Sequence, residues 1–478
     1  MTRSTPDWHA LDGVIDGDVA LPGASAYNGN RPAFNARFDD LRPQAIVRCA
    51  SPHDVAETIS FVARHHLEHV TRSGGHSFAG HSSSRGVVID VTPMSSVTVT
   101  GGEVSVGAGT RLGDLYAALQ PHGLTIPGGT CPSVGIAGLA LGGGLGILGR
   151  TYGVTSDRLL RAQLVLADGR VVECDQDHDA DLFWALRGAG AGNFGVVTSL
   201  VFRPVGAPEV TNFHVAWTFP HAAAAIGAWQ RWAPDAPDEL AASLKVTVSG
   251  GADEPPSVDV YGALIGGEAD AAGLLEQLVD QTASDPSLRF RRRMSYPATR
   301  EFWAHLGEAD GGPPAARPEP QTPRELVYMK SEFFSRPMPA EAIAALVANF
   351  SLDRRTGESR ELDFMPWGGA YNRVPPDATA FVHRHELFQL KHSAVVAPET
   401  SRPDAEGARR WVTRSWAAVH PWASGRVFQN FADPDLDGWA DAYYGTNYER
   451  LASVKARYDP ANFFRFPQSL PAGRSKAR

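Results

Sequence analysis

Apolar residues recur at helical spacing behind Ser51-Pro52. Val55, Ile59, Val62 and Ala63 fall on one face of a segment running to residue 69, with the serine placed to cap and the proline at the first helical position. This predicts an amphipathic helix with a strand after it. Residues 87–91, 103–106 and 163–166 are short β-branched runs, and the last leads through Asp168-Gly169 into Val171-Val172, the pattern of a hairpin. Residues 112–119 read as a helix. Short strands and hairpins up to about residue 205 predict mixed α and β structure rather than the regular alternation of a doubly wound sheet.

From Pro208 to Ala432 the pattern changes. Strand-like alternation at 243–248, 257–263, 325–333 and 379–392 is interleaved with Ala-rich helical stretches at 222–232 and 339–350. That order predicts an antiparallel sheet covered on one face by helices, so the whole chain is expected to be α+β. Residues 308–322, with Gly-Gly-Pro-Pro, read as a surface loop, 439–458 as one helix, and the basic 474–478 as a frayed end.

Composition narrows the function classes. The chain has 478 residues, 43% hydrophobic and 20% charged, which fits a globular enzyme of two or three domains and not a disordered or membrane-spanning chain. A net charge of −9 offers no broad basic field for a phosphate backbone, so no nucleic-acid partner is expected. Three cysteines, Cys49, Cys131 and Cys174, are too few for a disulfide framework, and the acidic start (Asp7, Asp12, Asp16, Asp18) lacks an apolar leader; both point to the cytoplasm.

Two motifs mislead. Gly144-Leu145-Gly146-Ile147-Leu148-Gly149 spells G-x-G-x-x-G, but a dinucleotide fingerprint needs a strand before it and a helix after it, and Gly-rich chain precedes this one. His65-His66-Leu67-Glu68-His69 spells a zinc-peptidase order, yet histidines in the last turn of a helix simply complement its negative end. No metal site is expected.

Two glycine-rich segments remain. Arg72-Ser73-Gly74-Gly75-His76-Ser77 follows a predicted strand, and its small residues can expose backbone N–H groups to phosphate oxygens. Pro127-Gly128-Gly129-Thr130-Cys131-Pro132-Ser133-Val134-Gly135 runs on through Gly138 and Gly142-Gly143-Gly144. So many glycines cost backbone entropy and suit a chain lying flat against a large planar or phosphorylated ligand.

With the C-terminal Asn447-Tyr448-Glu449-Arg450-Leu451 and Tyr458-Asp459-Pro460-Ala461-Asn462-Phe463, these segments resemble the berberine-bridge-enzyme-like branch of the vanillyl-alcohol-oxidase flavoproteins, over roughly residues 37–470. The resemblance implies a PCMH-type FAD-binding domain of two α/β subdomains at residues 1–207, with its core at about 39–205. A substrate domain would follow at 208–432, and a segment at 433–478 would return to the first domain. It implies FAD joined covalently through His76 and Cys131, with Arg72 among the cofactor-binding residues, Ser73, Gly74, Gly75 and Ser77 at the pyrophosphate, and Gly135, Gly138, Gly142 and Gly143 along the flavin and its phosphates. Tyr152, Gly153, Asp157, Gly190, Asn193, Gly195 and Val196 would surround the ribityl and adenine. Tyr444 would join the site, and Asn447 would close over the ring.

Val134 would face the flavin carbon that dioxygen attacks, and a valine there resembles the oxygen-reactive members; dioxygen is therefore the expected acceptor. The positions where relatives carry a catalytic base match Met365 and Phe431, which cannot take a proton. The alternatives to an oxidase are a flavin-fold scaffold for redox-neutral cyclisation or binding, to which that departure points, and a dehydrogenase using another acceptor. His392, on the same side of its strand as Leu390, and Tyr371 are the candidate bases. Lys245, Tyr328 and Lys330 are further polar candidates, and His383-Arg384 reads as structural. Trp303, Phe333, Phe364, Trp367 and Phe388 would line a cleft for a bulky small-molecule substrate.

Overall fold

The computed structural model describes residues 6–190, 192–251, 254–304 and 324–472. The expected loop at 308–322 and the basic end at 474–478 lie outside the described residues. Within them the architecture is α+β, with a four-stranded and a five-stranded sheet and a two-stranded pair (Leu124–Thr125 with Val205–Gly206) in the N-terminal half and one large sheet after it.

The first small sheet has the spatial order Asp18–Ala20, Ala45–Arg48, Val87–Asp90, His69–Arg72, the last three parallel. The helix Pro52–His65 connects two of these strands. Ser51 Oγ accepts from the Asp54 N–H at 3.2 Å, and the helix ends where His66 turns left-handed at φ 51°. The H-x-x-E-H run therefore straddles a helix end, a turn and the next strand, and no group of metal-ligating side chains occurs among the described residues. The second sheet is antiparallel, in the order Val97–Thr100, Glu103–Gly107, Val196–Phe202, Leu159–Val165, Val171–Cys174. Its expected hairpin closes through Gly169 at φ 82°, a conformation glycine adopts without strain.

The large sheet has seven antiparallel strands in the order Leu288–Ser295, Glu209–Thr218, Ser257–Leu264, Leu240–Val248, Ser359–Pro366, Phe388–Val396, Leu326–Phe334. One face carries Leu244, Val246, Leu362, Phe364, Phe388 and Leu390, buried beneath the helices Ala222–Asp235, Ala340–Phe350 and Arg402–Ala417. The other carries His214, Asp259, Lys245, Glu361, Asp363 and Lys391. These side chains are partly or wholly buried and are paired, His214 with Asp259 at 2.8 Å and Lys245 with Glu361 at 2.8 Å.

Two expected elements differ. The strand expected at 379–392 begins only at Phe388, because the backbone before it bonds outside the sheet: Ala380 and Phe381 N–H donate to Trp184 O (3.2 Å) and Arg187 O (3.1 Å), and Arg384 N–H turns back to Val382 O (2.8 Å). The helix expected at 439–458 breaks at Gly445 (φ 48°, ψ −128°) into Trp439–Tyr444 and Tyr448–Tyr458. That C-terminal segment is latched to the N-terminal half by Lys455, whose buried Nζ donates to Asn193 O, Phe464 O and Asp459 Oδ2, each at 2.6 Å. Three donors meet three acceptors, as a fully buried ammonium requires.

Candidate functional site

The loop leaving the His69–Arg72 strand is folded back by Arg72 itself. Its guanidinium is buried and donates to Asn30 O (2.6 Å), Ser82 O (2.9 Å) and Ser83 Oγ (3.1 Å), so the first residue of the motif scaffolds the loop while its stem lines the cavity. Ser73 Oγ donates to Ala108 O at 2.7 Å. Gly74 and Gly135 touch backbone to backbone, and a Cβ on either would collide with the other's amide nitrogen. The two glycine-rich segments, 61 residues apart in sequence (135 minus 74), thus form one continuous wall.

On that wall His76 Nε2 lies 3.0 Å from Ser133 Oγ, and Cys131 Sγ lies 3.4 Å from the same oxygen. Phe34 stacks on the imidazole with centroids 4.8 Å apart. Burial, with a smaller push from Arg111, lowers the His76 pKa to about 4, so at neutral pH the ring is an uncharged nucleophile. Cys131 is exposed, whereas Cys49 and Cys174 are buried thiols whose pKa values burial pushes up to about 12.

These residues border a cavity of about 510 Å³. Arg72 to Ser77, Cys131, Val134, Gly135, Gly138, Gly190, Asn193, Gly195, Val196 and Tyr444 line it. Gly138 and Gly190 open onto free space, since a Cβ on either would meet no protein atom within 4 Å. His69 Nε2, His81 Nε2 and Ser82 Oγ are buried at its edge without hydrogen-bond partners. Bare backbone facing an empty volume, orphaned polar atoms and two adjacent nucleophiles together fit a large, flat, polar-tailed cofactor such as FAD.

Aromatic side chains complete the cavity, with Lys391 and Arg465 among its charged residues. Phe34, Phe78, Phe428 and Phe431 line it, with Phe431 edge-on to Phe78 (5.6 Å) and to Phe428 (5.2 Å). Lys391 enters from the large sheet, its Nζ 5.7 Å from the Phe431 ring centroid. It is held by Asp363 (3.0 Å) and Glu361 (3.1 Å), and Glu361 also binds Lys245 at 2.8 Å. Burial alone would lower the Lys391 pKa, but Glu361 and Asp363 outweigh it and raise the value, so this residue stays an ammonium. The sequence reading missed Lys391. Strict alternation along Phe388–Val396 was the available signal, once Leu390 is assigned to the helix-covered face.

Several expected site residues are placed elsewhere. His392 does share a side with Leu390, but that side lies under the Arg402–Ala417 helix: Nδ1 hydrogen-bonds Ser415 Oγ at 2.9 Å, and burial, followed by Lys330, lowers its pKa to about 3. Tyr371 is also off the cavity, stacked on Trp367 at 4.2 Å with its hydroxyl donating to Gly146 O at 3.2 Å. Asp157 is taken by Arg384, whose Nη2 and Nη1 reach its carboxylate at 2.6 and 2.9 Å, and Gly153 lies against that carboxylate. Tyr152 packs near Leu148, Val205 and Tyr296. Gly142 and Gly143 let Asn430 and Phe381 approach and do not line the cavity. Asn447 points its amide at the carbonyls of Pro376 (2.7 Å) and Thr379 (3.1 Å) rather than over the cavity.

The expected aromatic cleft is corrected in the same way. Phe364 and Phe388 belong to the helix-side core, Phe333 and Trp367 to a buried cluster behind the cavity, and Trp303 donates to Asn212 Oδ1 at 3.0 Å. Of the other polar candidates, Lys330 pairs with Asp433 and Tyr328 lies under the Arg37 guanidinium at 4.4 Å.

Residues 43–175 match the family described as FAD binding domain, and residues 427–471 match that described as berberine and berberine like. The chain is 32% identical to the uncharacterized FAD-linked oxidoreductase YvdP of Bacillus subtilis, over 96% of this chain and 99% of that protein. It is 30% identical to the chitooligosaccharide oxidase of Gibberella zeae, over 94% of this chain and 91% of that one. The solved structure of wild-type BBE-like 1 from Physcomitrella patens matches with a TM-score of 0.86 at 28% identity, covering 98% of this chain and 100% of that one. No helix among the described residues is long and apolar enough to cross a membrane.

Proposed function

The chain belongs to the berberine-bridge-enzyme-like family of FAD-linked oxidoreductases, and on that premise we propose that it is a cytoplasmic oxidase carrying FAD on two covalent links, His76 and Cys131. It removes hydride from a bulky, largely apolar natural-product or glycosylated substrate and reduces dioxygen to hydrogen peroxide. The observation that carries this reading is the meeting of His76 and Cys131 on one wall of an aromatic cavity, 3.0 and 3.4 Å from a shared hydroxyl. Val134 on the same cavity supports dioxygen as the acceptor, and an oxidase among the relatives agrees.

When bound, FAD supplies the two-electron acceptor. The chain's own residues do the rest. Gly138 and Gly190 admit the cofactor backbone-first, and the neutral His76 imidazole stands as one attachment point. Phe78, Phe428 and Phe431 exclude water from the reacting carbon and offer apolar area to a large substrate. Lys391 has three N–H donors, two of them directed at Asp363 and Glu361, which leaves one for a substrate oxygen. Because its charge is held by two carboxylates, Lys391 orients that oxygen and does not act as a base. Its position beside Phe431 gives the cavity an ionic anchor where the usual basic positions hold Met365 and Phe431.

The test is in two parts. Peptide mapping of denatured protein should find flavin on the peptides of both His76 and Cys131, and a denatured sample that releases all its flavin would falsify the bicovalent claim. Anaerobic mixing with sugars, polyketide glycosides and alkaloids should bleach the flavin band for a true substrate, with peroxide appearing on admission of air. Product formed without bleaching favours the redox-neutral scaffold instead.

A further inference from the structure

Ser133 sits in a turn that is pinned on both sides. The Pro132 and Val134 carbonyls accept from Gly113 N–H and Leu112 N–H, each at 2.9 Å, and Val134 N–H reaches Cys131 O at 3.4 Å. The turn holds Ser133 Oγ between His76 Nε2 (3.0 Å) and Cys131 Sγ (3.4 Å). A hydroxyl donates one hydrogen bond and accepts others, so its orientation ties the two neighbours together.

Two arrangements are possible. If Ser133 donates to Nε2, then Nδ1 carries the ring proton and the neutral imidazole has no lone pair left for an electrophile in the cavity. If Nε2–H donates to Ser133, then Nδ1 keeps its lone pair, and the hydroxyl proton is free to point at the Cys131 sulfur. Nδ1 makes no hydrogen bond among the described residues, and the imidazole lines the cavity. Only the second arrangement readies both residues, because the sulfur nucleophile is the thiolate and a donated hydrogen bond favours it.

We propose that Ser133 is the positioning residue for both flavin links, accepting from His76 Nε2–H and donating to Cys131 Sγ so that one hydroxyl prepares two nucleophiles. The proposal rests on the bicovalent reading above. Each link replaces one hydrogen on a flavin carbon with the residue's nitrogen or sulfur. The second hydrogen comes from the imidazole or the thiol, and dioxygen, the co-reactant, takes both hydrogens and both electrons as hydrogen peroxide.

Ser133→Thr and Ser133→Val make the decisive pair, since threonine and valine share a shape and differ by the hydroxyl. Both variants are purified as holoenzymes, flavin peptides are counted by mass spectrometry, and total flavin is measured as covalent plus acid-released. Ser133→Thr is expected to carry both links as the parent does. Ser133→Val is expected to hold the same total flavin but to carry both links in about tenfold fewer chains, the scale of one lost hydrogen bond to a charged group. Equal linkage in the two variants, or equal loss, overturns the proposal, since shape and not the hydroxyl would then matter. A valine variant that binds no flavin overturns it as well, because the hydroxyl would then serve the fold. A parent protein with fewer than two links defeats the bicovalent reading itself and is recognised before any variant is made.

Discussion

Replacing Lys391 with methionine removes a charge and keeps an unbranched stem. The ammonium lies 3.0 Å from Asp363 and 3.1 Å from Glu361, and Glu361 retains Lys245 at 2.8 Å, so the group left unpaired is Asp363. That residue is only 6% exposed, and its Oδ1 is already without a partner. Removing one member of a buried pair costs about 3–5 kcal/mol, and the 18% exposure of the Lys391 side chain argues for the lower end, about 3 kcal/mol.

Urea denaturation followed by tryptophan fluorescence should show Lys391→Met about 3 kcal/mol less stable than the parent at pH 8. Adding Asp363→Asn, which removes the stranded charge, should restore most of that stability. A deficit under about 1 kcal/mol, or one that Asp363→Asn leaves unchanged, refutes the argument, because Asp363 would then be hydrated in the variant.

Other outcomes follow from the same geometry. Gly138→Ala should stabilise the flavin-free chain by about 0.5–1 kcal/mol, since it removes a helical glycine and meets no protein atom, while lowering the flavin absorbance per chain; unchanged flavin content counts against the cavity assignment. Arg384→Met strands the buried Asp157 carboxylate and should cost about 3–5 kcal/mol in urea melts, with Arg384→Lys failing to restore it because one ammonium cannot replace a two-pronged guanidinium. Val134→Phe should slow reoxidation by dioxygen in stopped-flow traces while anaerobic reduction by substrate is little changed; equal slowing of both steps contradicts a role for Val134 in oxygen access.

How much of the site the sequence disclosed varied with the kind of residue. The helix behind Ser51-Pro52 and the hairpin at Asp168-Gly169 were legible because their caps and turns are local chemistry, decided within a few residues. The walls at 72–77 and 131–138 were legible because consecutive glycines have few uses besides close backbone approach. His392 and Lys391 were not. They are adjacent, so periodicity assigns them to opposite faces but cannot say which face the helices cover. Asp157 and Asn447 were misplaced for a related reason: a polar side chain in a motif is equally able to bind a cofactor or to tie loops together, and here Arg384 and the 376–380 carbonyls claim them.

By itself the sequence determined the α+β class and the two glycine-rich walls, which depend on residue type and short spacing, while His76 and Cys131 were singled out by the resemblance to a flavoprotein family. Only the tertiary structure decided that Gly74 meets Gly135, that one serine hydroxyl spans His76 and Cys131, and that Lys391, held by Asp363 and Glu361, brings its charge to the cavity. These contacts join residues distant along the chain. Their energies depend on burial and on which partners the fold brings within reach, and neither is written in local pattern.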